Sequence, residues 1–224
     1  MNEILFIAEV ILSFSGVLLA YKFFGKYGLF AWIAMNTIIA NIEVVKCVDM
    51  FSMPMTLGNI TFGSVFLATD IINEKYGRKV AQKGVFIGFF SLMTLTIFTQ
   101  LDLLYVPNSE DFAQKSMQTL FAITPRLCFG SMFAYLISHT TEVFLFSTIK
   151  KFLPDDKFLW VRNNVATISS QLIDTILFTF IAFLGVFPLK TVGMLCFTTY
   201  TIKVILAFCE TPFLYVAKKI LNDD

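Results

Sequence analysis

Seven apolar stretches, each long enough to cross a bilayer as a helix, follow one another along the chain with only short polar connections. They run over 4–23, 29–48, 56–72, 80–100, 117–149, 165–187 and 191–217. A hydrocarbon core of about 30 Å takes roughly 20 apolar residues per helical crossing, whereas a transmembrane strand needs only about half as many. Within that core every backbone N–H and C=O must be satisfied internally, so only helices and closed barrels can span it. Stretches of this length predict an all-α fold: a polytopic membrane helix bundle forming one transmembrane domain over residues 1–224. The longest connection, 101–115, carries Pro107, Asn108, Ser109, Glu110 and Asp111 as turn and solvent signals. No soluble domain fits between spans, so function must lie in the helices or their short loops.

Composition agrees. Hydrophobic residues make up 57% of the chain, above the roughly 45–50% of a soluble domain, and the 27 phenylalanines suit lipid-facing and interhelical positions. Lys and Arg number 17 against 16 Asp and Glu, so charge predicts neither a nucleic-acid nor an acidic partner. Cys47, Cys128, Cys196 and Cys209 each sit in an apolar run without CxxC spacing and read as buried thiols, not a zinc site or disulfide frame. No cofactor is expected. GxxxxGK[ST], HExxH and a Ser-His-Asp set are all lacking, and the Asn59-Ile60-Thr61 sequon lies inside an apolar stretch, where it is accidental. The first stretch contains Glu3 and Glu9 and has neither a basic leader nor a small-residue cleavage site, unlike a signal peptide.

Lys and Arg placement orients the bundle. Lys22 and Lys26 follow the first stretch, Lys75, Arg78, Lys79 and Lys83 the third, Lys150, Lys151, Lys157 and Arg162 the fifth, and Lys218 and Lys219 the seventh. These connections all fall on one side. Those opposite hold only Lys115 and Lys190, with Asp102, Glu110 and Asp111. The bias predicts an external N-terminus and a cytoplasmic C-terminus. Two stretches depart from a plain span. The fifth exceeds the membrane at 1.5 Å per residue, and Pro125 is the expected kink or late helix start. The fourth places Gly84 and Gly88 at the spacing that lets helices approach closely, a packing feature.

Charged groups inside a bilayer are costly and mark functional sites by default. At outer depth lie Asn41, Glu43 and Lys46, with Asn59 and Arg126; Glu43 and Lys46 are three apart and can pair along a helix. Near the midplane lie Gln171, Asp174 and Lys203. Toward the cytoplasm lie Asp70, Glu142 and Glu210, with Asn73 and Glu74 at the boundary. Helical spacing collects them into ribbons: Asn164, Thr167, Gln171, Asp174 and Phe178; Ser131, Tyr135, Ser138 and Glu142; Asn59, Gly63, Phe66, Asp70 and Asn73; and Lys203 with Glu210. Lipid cannot satisfy such faces, so they are expected to converge on one another or on a hydrated pocket. The acids Glu43, Asp70, Glu142, Asp174 and Glu210 outnumber the bases Lys46, Arg126 and Lys203. A surplus acid must meet water or carry a proton, which opens the question of proton coupling. His139, the only histidine, stands one turn before Glu142 and reads as packed sooner than as a relay.

The same residues carry a resemblance. Phe66-Leu67-Ala68-Thr69-Asp70 followed by Asn73-Glu74-Lys75-Tyr76-Gly77 resembles the F-x-x-x-D-x-x-x-E-x-Y-G signature of the queuosine precursor transporter (VUT) family. Arg126, Ser131, Ala134-Tyr135 and Glu142 through Phe146 are similar to its next motif, with Glu142 where that family usually has Asp. Arg162-Asn163-Asn164, Ser170-Gln171, Asp174-Thr175 and Ile181-Ala182-Phe183 resemble its most specific block, and Lys203 with Pro212 its last. The likeness covers about 29–217 and leaves 4–23 outside. It implies a six-helix inner-membrane core, here with one additional N-terminal helix, and salvage of a deazaguanine such as the cyano or aminomethyl compound, or of queuine, for tRNA modification. The small-molecule deazapurine and the bilayer would be the partners; a homo-oligomer is left open.

A deazaguanine presents ring N–H and amino donors beside a carbonyl, and extruded bases are read by such edge hydrogen bonds plus aromatic stacking. Asp174 suits the donor edge, Gln171 or Lys203 the carbonyl, and Phe66, Phe178 or Tyr135 the ring face. Arg126, Glu142, Asp70, Asn41 and Lys46 complete the candidate binding set. Three readings compete: a secondary or facilitative carrier, a substrate-binding membrane subunit of an ATP-driven importer, and a membrane enzyme using Glu142, His139 and Asp174, which a single histidine without a clustered nucleophile disfavours.

Overall fold

The computed structural model describes residues 2–50, 53–121, 125–185 and 188–221; for 47, 50, 53–56, 125–128 and 221 it describes the backbone alone. The chain folds as α1 (Asn2–Glu43), β1 (Cys47–Met50), β2 (Met53–Thr56), α2 (Gly58–Tyr76), α3 (Arg78–Asp102), α4 (Gln114–Phe121), α5 (Pro125–Phe152), a 3-10 turn (Asp156–Phe158), α6 (Leu159–Phe183) and α7 (Leu189–Leu221). The all-α bundle predicted from the apolar stretches is what forms. By length and composition, α1, α3, 156–183 and 189–220 are each able to cross a membrane. α2 and α5 are not among these four, because their polar residues lower the mean hydropathy.

The first two stretches are one element folded on itself. Gly25 takes φ 56° and ψ −140°, a conformation glycine adopts without the Cβ clash other residues would meet. The chain reverses there: Gly16 lies against the Trp32 ring, and Gly28 against the Ala20 carbonyl, contacts a continuous helix would never make. In the first limb Phe6, Val10, Phe14, Val17 and Tyr21 recur every three or four residues and are all buried. This stripe packs the N-terminal helix onto the bundle, where Phe14 meets Phe213 edge-on at 5.2 Å.

Three local features differ from the sequence expectation. The second helix stops at Glu43, so exposed Lys46 lies in the following turn and does not share a helix face with Glu43. A small antiparallel hairpin follows, Cys47 opposite Thr56 and Met50 opposite Met53, closed at its base by the Leu57 N–H donating to Lys46 O at 3.2 Å. Asn2 Nδ2 donates to Asp49 O at 2.9 Å, fastening the N-terminus to this hairpin. The long fifth stretch divides into α4 and α5, and α5 begins at Pro125, whose missing N–H costs nothing in a first turn.

α2 is the centre of the bundle. Every residue of 58–73 is buried except Phe62, which is half-buried, and α1, α3, α5 and α7 all pack around it. Gly84 and Gly88 let α3 approach: Ile33 and Phe30 of α1 fill the space beside Gly84, and the Tyr135 hydroxyl of α5 lies against Gly88. The connections rich in Lys and Arg gather at one end, since Glu74 contacts Lys150, Arg162 and Lys218, and Lys75 lies 5.7 Å from the Tyr21 ring near the Gly25 turn.

Candidate functional site

The helical ribbons turn inward and meet. On α6 Asn164, Thr167, Gln171 and Asp174 are buried along one face, as their i, i+3, i+7, i+10 spacing demands. α5 presents Tyr135, Ser138, His139 and Glu142, α2 presents Phe66 and Asp70, and α7 presents Lys203 and Glu210; all are buried. They arrange in three levels.

At the level farthest from the basic end, Lys203 Nζ contacts Asp174 Oδ2 at 2.5 Å, and Ser138 Oγ donates to Asp174 Oδ1 at 3.2 Å. The pair is 7% and 6% exposed, so it joins α6 to α7 in a medium where one charge without the other would be strongly disfavoured. Lys203 also stands 5.5 Å from the centre of the Phe62 ring. Phe62 belongs to an aromatic box: Phe66 stacks on His139 at 3.9 Å, Tyr135 tilts against His139 at 4.4 Å, and Phe62 meets His139 edge-on at 5.4 Å. Of these rings the sequence ribbons include Phe66 and Tyr135 but not Phe62, whose position one turn before Phe66 is the signal for it. Gln171 is buried beneath Asp174, and its Oε1 accepts no hydrogen bond from a described residue.

One level down lie three carboxylates from three helices, Asp70, Glu142 and Glu210, within electrostatic reach of one another. Thr167 Oγ1 donates to Glu142 Oε1 at 3.3 Å and Asn163 Nδ2 to Glu210 Oε1 at 3.1 Å. His139 Nδ1 lies 3.6 Å from Glu142 Oε2, beyond hydrogen-bond range. Asn164 Nδ2 donates to Thr211 Oγ1 at 2.8 Å, holding α6 against α7.

The third level closes the basic end. Glu74, one turn beyond Asp70, meets Arg162 at 3.1 Å, Lys150 at 2.8 Å and Lys218 at 2.9 Å, bringing α5, α6 and α7 to α2. Arg162 Nη1 also donates to the carbonyls of Leu153, Pro154 and Asp155 at 2.8, 2.9 and 3.2 Å, which cap the end of α5. Asn73 ties α2 to α5 by donating to Val143 O at 3.1 Å and accepting from Ser147 at 2.9 Å.

Not every candidate joins these levels. Asn41 lies toward the opposite end, where Ser131 Oγ donates to its Oδ1 at 3.1 Å. Phe178 is half-buried one turn past Asp174 and meets Phe183, not the aromatic box. The Arg126, Cys47 and Cys128 side chains lie outside the described residues. An open groove of about 840 Å³ between α3 and α5 and another of about 400 Å³ between α3 and Ile38 of α1 are lined by none of the candidates.

The chain is similar in sequence to known transporters. The family described as "putative vitamin uptake transporter" matches residues 56–217, a span containing all three levels apart from Lys218. A Bacillus subtilis protein named a probable queuosine precursor transporter is 43% identical over 223 residues, covering 100% of this chain and 97% of its own. One of the same name from Haemophilus influenzae is 26% identical over 133 residues, 59% of this chain and 54% of the relative. An Escherichia coli protein named a queuosine precursor transporter is 22% identical over 162 residues, 70% of each chain. No solved structure matches.

Proposed function

The chain belongs to the vitamin uptake transporter family and is a multi-pass membrane transporter; on that premise we propose that it imports a queuosine precursor, a 7-deazaguanine or queuine, for tRNA modification. The observation that carries this reading is the buried Asp174–Lys203 pair beside the aromatic box. One edge of a deazaguanine offers N–H donors next to a carbonyl. An acceptor and a donor held 2.5 Å apart supply the complement: as the ring enters, Asp174 exchanges Lys203 for the donor edge, and Lys203 turns to the carbonyl. Gln171, with an uncommitted carbonyl, takes a further donor. Phe66 and Tyr135 face the ring, and Phe178 forms the wall beyond. Asp70 and Glu142 border the site on the basic side. Asn41, Lys46 and Arg126 stand toward the opposite mouth. With the basic end cytoplasmic, as the Lys and Arg bias requires, the N-terminus is external and substrate enters from the Asn41 side.

Cells that depend on salvage and lack their own transporter provide the test. Expression of this chain is expected to restore uptake of labelled 7-cyano-7-deazaguanine, 7-aminomethyl-7-deazaguanine or queuine and its appearance in tRNA. A chain present in the membrane that restores none of the three would overturn the reading.

A further inference from the structure

Asp70, Glu142 and Glu210 are buried to 0, 0 and 1% exposure, and no Lys or Arg among the described residues pairs with any of them. The Thr167 hydroxyl, near both Asp70 and Glu142, donates its proton to Glu142 Oε1, which leaves both oxygens of Asp70 and Oε2 of Glu142 accepting no hydrogen bond from a described residue. Three ionised carboxylates facing one another without a cation are not a stable arrangement in a low-dielectric interior; positive charge must join them. His139 points the same way independently. It is fully buried, neither ring nitrogen is hydrogen-bonded to a described residue, and Nδ1 is directed at Glu142 Oε2 from 3.6 Å.

We propose that Asp70, Glu142 and Glu210, with His139 beside them, form a proton-binding site that couples proton entry to substrate entry, one proton per substrate. A proton fits better than a metal ion, because no group of His, Cys, Asp and Glu side chains among the described residues converges as metal ligands do. The proton arriving from the Asn41 side adds to a carboxylate oxygen of Glu210, Glu142 or Asp70, with the His139 ring as the neighbouring acceptor and donor, and leaves to the opposite side. The charged groups acting on the three carboxylates are one another and Glu74 of α2; Lys203 of α7 acts on His139. From α6, Arg162 is engaged by Glu74 and Asp174 by Lys203. Among the described residues α1 and α3 bring no charged side chain to the cluster; Tyr135 of α5 faces it.

This inference rests on the transporter reading, and the experiment separates the two. The purified full chain is placed in liposomes with the membrane potential clamped to zero and given labelled 7-cyano-7-deazaguanine, a neutral probe. An inward gradient of one pH unit is expected to accumulate the probe about tenfold, the ratio one coupled proton provides. Glu210→Gln is expected to keep probe exchange at equal pH and lose the accumulation. Equilibration to equal concentrations whatever the gradient overturns the coupling, while absence of probe movement at any pH overturns the choice of substrate instead. Infrared spectroscopy decides the site without substrate: the wild-type chain is expected to show a protonated-carboxyl C=O band that shifts in deuterated water and shrinks in Glu210→Gln. A spectrum lacking that band at neutral pH contradicts the proposal.

Discussion

Glu74 and the Asp70, Glu142 and Glu210 trio lie one helical turn apart and use the same chemistry to opposite ends. Glu74 has three cations on one carboxylate, with the Arg162 guanidinium also bound to three backbone carbonyls. The trio has three carboxylates and no basic side chain paired among the described residues. A fully partnered charge holds helices together. The cluster short of partners is where we place the proton.

The largest expected effect breaks the partnered region. Glu74→Gln leaves fully buried Arg162 without its carboxylate, and losing one partner of a buried pair costs about 3–5 kcal/mol. Thermal unfolding in detergent should show a strongly destabilised chain, and unchanged stability would deny Glu74 its architectural role. In the trio the opposite sign is expected. Glu142→Gln removes a crowded charge and keeps the volume, so stability should be equal or higher while uptake falls; a chain destabilised like Glu74→Gln would erase the distinction.

Asp174→Asn stands between these cases, because Asp174 is both paired and proposed to bind substrate. Leaving the buried polar groups of the donor edge unpaired costs about 1–3 kcal/mol each and more where charged, so affinity for a deazaguanine should fall at least tenfold. The accompanying loss of stability from unpaired Lys203 is separated by adding Lys203→Met, which should restore folding but not binding. Wild-type binding by well-folded Asp174→Asn would remove its ligand role. The smallest effect belongs to Gln171→Ala. One or two neutral hydrogen bonds are worth about 0.5–1.5 kcal/mol each, which titration calorimetry would register as a several-fold weaker affinity at unchanged melting temperature.

The sequence made the bundle legible because lipid allows so few backbone solutions. Spacing also brought the α6 ribbon and the α2 acids inward correctly, since a buried helical face repeats every three to four residues. What it could not give was partnership. Asp174 and Lys203, at one depth but 29 residues apart, allow a pair across two spans as one reading among others, whereas Glu74 and Lys218, 144 apart, are joined only by the tertiary arrangement. His139, one turn before Glu142, reads as packed, and the fold buries it against Phe66, Tyr135 and Phe62; what the spacing leaves out is that its Nδ1 lies 3.6 Å from Glu142 Oε2. The short hairpin at 47–56 escaped because its strands, four residues each, lie mostly in the 49–55 connection and are too short to show a period-two pattern.

On the proposed reading, the interior built around Asp174 and Lys203 carries a deazaguanine across the membrane without help from other chains. Uptake of labelled 7-aminomethyl- and 7-cyano-7-deazaguanine by liposomes containing only this purified protein measures it directly. Saturable uptake of at least one compound in the absence of ATP, absent from empty liposomes and abolished in the stable Asp174→Asn, Lys203→Met chain, is the predicted result. Uptake that appears only when ATP and partner subunits are supplied, or that survives in the double variant, would contradict it.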